Sequence, residues 1–170
     1  MQKKIYYFSS KDFKNYMKSI GFTSFSYNRM FETIENIENS DFAVISIGNV
    51  EILDNIDNDT DLWANGVNNH WLPNTTNVLN LEFADVDNSG NFKYSDAFTN
   101  EQAILLFKFI KNNIEKNNFY IHCGAGISRS GAVAAFIFDY FKSNNINAKI
   151  SPNYPTTPNY WVKKLLMKYL

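Results

Sequence analysis

Apolar residues along this chain fall into two rhythms. Ile5-Tyr6-Tyr7-Phe8, Phe42-Ala43-Val44-Ile45-Ser46-Ile47 and Asn118-Phe119-Tyr120-Ile121 are short apolar runs, and each predicts a strand, the second ending at Gly48. Asn77-Val78-Leu79-Asn80-Leu81-Glu82-Phe83 alternates apolar with polar and predicts another. Between these runs the spacing turns helical. Ser10 is placed to cap a helix from Lys11 to Ile20 that Gly21 ends. Met30, Phe31, Ile34 and Ile37 form a core-facing stripe over 28–38. Thr99-Asn100-Glu101-Gln102 has the form of a capping box. It opens a predicted helix to about Lys116, with Ile104, Leu105, Phe107, Phe109 and Ile110 mostly inward. Gly131 to Phe138 starts a buried helix reaching about Lys142, and Thr157-Pro158 opens a last one carrying Tyr160, Trp161, Leu165, Leu166 and Leu170.

Strands alternating with helices, undivided by linker or repeat, predict one α/β domain over residues 1–170 with a central sheet flanked by helices. The 170 residues are 45% hydrophobic, enough for one good core. The acidic, asparagine-rich stretch from Asn49 to Thr76 breaks the pattern. Its Asp54, Asp57, Asp59 and Asp61 lack the glycine and terminal glutamate of a calcium-binding loop, so a solvated loop is expected. Trp63, His70 and Trp71 there suit a substrate wall or a cover over one core edge equally well.

Charge narrows the function classes. With 16 basic and 17 acidic residues the net charge is −1, which argues against a general nucleic-acid binder. Two lysines and four apolar residues near the start are too few for a signal-peptide core, and no run reaches membrane-spanning length. No membrane partner is expected. One cysteine rules out an internal disulfide framework and fits a reducing compartment, so a cytoplasmic location is the expectation. No His, Cys or Asp cluster has metal-ligand spacing, so neither metal nor cofactor is expected.

That single cysteine stands in His122-Cys123-Gly124-Ala125-Gly126-Ile127-Ser128-Arg129-Ser130, between a predicted strand and a predicted helix. Backbone N–H groups at a helix start face an anion and favour a thiolate. Gly124, Ala125 and Gly126 are small enough for the loop amides to converge as a nest. Arg129, six positions after Cys123, offers a planar fork to two phosphate oxygens. Nucleophilic attack on a phosphate ester is the chemistry this pattern suits. It also asks for a proton donor to the leaving group, and Asp85 and Asp87 follow a strand upstream, with Asp96 further along.

The stretch resembles the phosphate-binding loop of the cysteine-dependent protein tyrosine and dual-specificity phosphatases. Their pattern His-Cys-x-x-Gly-x-x-Arg-Ser/Thr is met at His122, Cys123, Gly126, Arg129 and Ser130. The resemblance implies that Cys123 is the nucleophile and that residues 124–128 with Arg129 (Gly124, Ala125, Gly126, Ile127, Ser128) bind the phosphate. It gives His122 a supporting role through the loop backbone, and Ser130 a role in stabilising the departing thiolate. Bacterial members commonly carry Leu-x-Phe-x-Asp before the loop; Leu81-Glu82-Phe83-Ala84-Asp85 fits, which favours Asp85 over Asp87.

The implied function is hydrolysis of phosphotyrosine in protein substrates, with phosphoserine and phosphothreonine as further substrates, through a cysteinyl-phosphate. The loop interior has no lysine, which disfavours phosphoinositides. An RNA 5′-phosphatase and a phosphopeptide-binding pseudophosphatase are the alternatives. The near-neutral charge weighs against the first, and the retained cysteine, arginine and acid weigh against the second.

Overall fold

The computed structural model describes residues 1–22, 35–48, 72–86 and 97–170. The described elements run β1 (Lys3–Ser9), α1 (Ser10–Ser19), β2 (Phe42–Gly48), β3 (Val78–Glu82), α2 (Asn100–Asn112), β4 (Asn118–Cys123), α3 (Arg129–Ser143), β5 (Ala148–Ser151) and α4 (Tyr160–Leu166), closed by a 3₁₀ turn at Met167–Tyr169. The strands form one sheet in the order β3-β2-β4-β1-β5, and every pairing is parallel. The architecture is α/β, as the alternation of elements predicts. No described helix is long and apolar enough to cross a membrane.

Strand alternation builds two cores. Successive side chains point to opposite faces of a sheet, so Ala43, Ile45 and Ile47 of β2 and Phe119 and Ile121 of β4 face α2, α3 and α4. Phe42, Val44 and Tyr120 take the other face, where Phe13 and Met17 of α1 and Ile37 from the helical turn at 35–38 cover them. The same alternation puts Cys123 with the first group and leaves His122 to stack on Phe13, ring centroids 4.2 Å apart. Burial, followed by a hydrogen bond with Tyr16, pushes the Tyr120 phenol above its ordinary range, so it packs as a neutral group.

Several expected boundaries move, each for a local reason. Ser9, not Ser10, caps α1, its Oγ accepting from Asp12 N at 3.1 Å; Gly21, at φ +96°, lies two residues beyond the helix. α2 stops at Asn112 because Asn113 turns the chain and donates Nδ2 to the Phe109 and Thr76 carbonyls. Its inward stripe is Ala103, Leu106, Phe109 and Ile110, while Ile104 and Leu105 are 42% and 48% exposed. Both exposed residues sit off the 3–4 spacing that the capping box sets in phase with the sheet. α4 starts at Tyr160 behind an Asn159 cap, and Tyr160 itself points outward. β5, which the apolar pattern did not suggest, is a short edge strand with only Ile150 buried. Of the 28–38 stripe, Met30, Phe31 and Ile34 lie outside the described residues.

The capping box at Thr99 is formed as expected, and Gln102 also donates Nε2 to the Glu82 carbonyl at the end of β3. Thr99→Ala should lower the free energy of unfolding by about 1 kcal/mol in a urea titration. Gln102→Ala should cost more, since it loses both the side-chain half of the capping box and the tie to β3.

Candidate active site

β4 delivers Cys123 to the carboxyl edge of the sheet, where open α/β sheets place their sites. The chain then loops over 124–128 and enters α3 at Arg129. The thiol is buried. Its Sγ donates to Ser130 Oγ at 3.2 Å and accepts from Gly126 N–H at 3.3 Å. Gly126 takes φ +72°, and a Cβ there would overlap Ser9 N and Phe8 C, so only glycine fits between the thiol and the end of β1. The loop is pinned from the same side by Ser10. Its N–H donates to the Gly124 carbonyl at 3.3 Å, and its Oγ donates to the Cys123 carbonyl at 3.2 Å. His122 Nδ1 faces that same hydroxyl at 3.5 Å, a long contact. Its link to the loop runs through Ser10 and the stack on Phe13.

Arg129 is 5% exposed. Its Nη1 donates to the Phe83 carbonyl at 2.8 Å and the Gly48 carbonyl at 3.1 Å, where the chain leaves β3 and β2. That uses one corner of the guanidinium. The opposite edge, Nε and Nη2, turns toward the loop: a Cβ built on Gly124 would stand 3.7 Å from Nη2. Nε has no hydrogen-bond acceptor among the described residues and lies 3.8 Å from Asp85 Oδ2. This is the edge an arginine presents to two oxygens of one phosphate.

Asp85 sits three residues past β3, with a side chain 40% exposed. Its Oδ1 accepts from Ser128 Oγ and from Asn159 Nδ2, each at 2.7 Å. Asn159 is 3% exposed and holds the segment a second time by donating to the Val86 carbonyl at 3.2 Å. Its Oδ1 meanwhile accepts from Val162 N–H as the cap of α4. Ser128 directs its hydroxyl to Asp85, and its backbone continues the loop. Ile127 stands 56% exposed on the rim.

Cys123, Arg129, Ser130, the 124–128 loop and Asp85 thus meet at one edge of the sheet. Asp87, Asp96, Trp63, His70 and Trp71 lie outside the described residues. Sequence reasoning missed Asn159 and Ser10. Asn159 carries in the sequence only the signal of a cap residue, and Ser10 only that of a helix cap, not of the tether it is.

No protein-family model matches the chain, and no curated protein matches it. Among solved structures it is similar to the crystal structure of Tk-PTP in the active form, at 18% identity over 85% of this chain and 88% of that one. The TM-score is 0.37, a superposition too loose to bear on chemistry.

Gly126→Ala should disturb the loop while sparing the bulk of the sheet. The expected result is a folded protein by circular dichroism, with the Cys123 thiol reacting at an altered rate with iodoacetamide. An unchanged alkylation rate would mean that the loop does not need the glycine.

Proposed function

We propose that this protein is a cysteine-dependent phosphatase: one domain over residues 1–170 that hydrolyses phosphotyrosine, and secondarily phosphoserine and phosphothreonine, in protein or peptide substrates. One observation carries the reading. A buried thiol, the free edge of a buried guanidinium and a carboxyl held by two donors converge from three separate segments on a glycine-bearing loop.

A phosphomonoester dianion repels an anionic nucleophile, so positive potential must come first. The 124–128 amides and the Nε–Nη2 edge of Arg129 supply it and hold the three non-bridging oxygens. Cys123 Sγ, as thiolate, attacks phosphorus in line. The S–P bond forms, the P–O bond to the tyrosine oxygen breaks, and Asp85 gives that oxygen a proton. With Oδ1 occupied by two donors, Oδ2 is the oxygen that carries it. Water then attacks the cysteinyl-phosphate, Asp85 takes a proton from it, and the S–P bond breaks. The hydroxyl of Ser130, 3.2 Å away, reverses its role and donates to the departing thiolate.

The test is steady-state hydrolysis of p-nitrophenyl phosphate and of phenyl phosphate in EDTA. Turnover should survive EDTA and fall at least about a thousandfold in Cys123→Ser. A folded wild type that turns over neither ester nor phosphotyrosine peptides would overturn the reading.

A separate comparison identifies the proton donor. Asp85→Asn should slow phenyl phosphate about a hundredfold and p-nitrophenyl phosphate much less, because the better leaving group needs no proton. Asn159→Ala should reproduce that leaving-group dependence at smaller size. Equal losses on both esters would mark a merely structural role.

A further inference from the structure

Behind the phosphate loop lies a second concavity. A cavity of about 500 Å³ opens between the end of β1, the first turn of α1 and the segment after β5. Ala125, Gly126 and Ile127 form one of its walls. These are the residues that curl around Cys123, and the Gly126 N–H reaches the thiol from the other side. The cavity therefore borders the candidate phosphate site and shares residues 125–127 of its loop. Neither the thiol chemistry nor the proton transfer uses it.

Its lining has a definite character. Phe8, Pro152 and Pro155 contribute apolar surface, and Thr156 and Thr157 contribute hydroxyls. Asp12 is the only charged lining residue among the described residues. Asp12 is exposed, and its Oδ2 accepts from Ser9 Oγ at 2.6 Å, a bond that holds the carboxylate at the head of α1 without neutralising it. The cavity thus pairs apolar walls with one negative charge, beside a loop that gathers positive potential for a phosphate. A second phosphate or an acidic side chain is repelled here. A long aliphatic stem ending in a cation fits the walls and the charge together.

We propose that this cavity is a substrate subsite that receives a basic side chain, arginine or lysine, lying close to the phosphotyrosine in the target peptide. The inference rests on the phosphatase reading above and adds a substrate class to it. An extended peptide advances about 3.3 Å per residue, so three positions on either side of the phosphotyrosine sample about 10 Å of reach along the rim of the loop.

The experiment measures kcat/KM for phosphotyrosine peptides of one parent sequence, with Arg, Ala or Glu placed in turn at each of the three positions on either side. p-Nitrophenyl phosphate turnover by wild type is followed in parallel as the readout of the phosphatase reading alone. At one position at least, Arg should exceed Glu by roughly three- to tenfold at low salt, and the ratio should shrink as salt screens it. Asp12→Asn, which keeps an acceptor for Ser9, should bring the Arg-to-Glu ratio close to one. Thr156→Arg, which leaves Asp12 and the α1 cap intact, should reduce or invert it. A flat panel, or a preference for Glu, overturns the subsite. A preference for Arg that neither variant moves overturns its assignment to this cavity. Loss of all turnover by wild type, small ester included, defeats the phosphatase reading instead.

Discussion

Taking a guanidinium out of water costs several kcal/mol unless acceptors meet it. Arg129, 5% exposed at the first position of α3, is met by the Gly48 and Phe83 carbonyls, so the carboxyl ends of β2 and β3 must stand where they do. Moving either strand end, or unwinding the first turn of α3, leaves a buried charge short of partners. The choice of acceptor matters too. Carbonyl oxygens orient the guanidinium without cancelling its charge, whereas a carboxylate in their place would consume its positive potential. The nearest carboxylate among the described residues, on Asp85, keeps 3.8 Å from Nε and has its Oδ1 occupied elsewhere.

The other half of the site depends on a parity. β4 alternates, so Cys123 falls on the α3 side and His122 on the α1 side. The loop is consequently supported from both layers of the fold. On one face Arg129 and Ser130 reach it from α3, and on the other Ser10 and the Phe13–His122 stack hold its start. Gly126 lies against the end of β1, where a Cβ would overlap Ser9 N and Phe8 C, and for that reason it tolerates no side chain.

Much of this was legible in the sequence, because the strongest signals were local. Strand-length apolar runs gave β1, β2, β3 and β4, and the Thr99 capping box formed as written. The spacing from His122 to Ser130 brought out the loop before any coordinates. Failures came where a long-range partner decides the outcome. Ile104 and Leu105 are as apolar as Leu106, and only the docking phase of α2 on the sheet separates exposed from buried. β5 is an edge strand with one buried residue, so it leaves no periodic trace. The Ser128 hydroxyl is claimed by Asp85, 43 positions away, a pairing that no local pattern announces. Asn159 is 74 positions from the same carboxyl, beyond any window of local pattern.

Asn159 also explains why this position needs an amide. Its Oδ1 must accept from Val162 N–H to cap α4, while its Nδ2 must donate to both Asp85 Oδ1 and the Val86 carbonyl. An aspartate keeps the cap but has no hydrogen to donate, and it sets a second negative charge against Asp85. A serine has one hydrogen to give and too short a reach to serve the cap and two acceptors on another segment. With asparagine, the register of the last helix and the position of the carboxyl become one constraint. Anything that frays the start of α4 therefore also removes one of the two donors that hold Asp85 Oδ1. The start of α4, far from the cysteine in sequence, is tied to the candidate site by Asn159, whose side chain holds Asp85 and whose N–H donates to the Ser128 carbonyl.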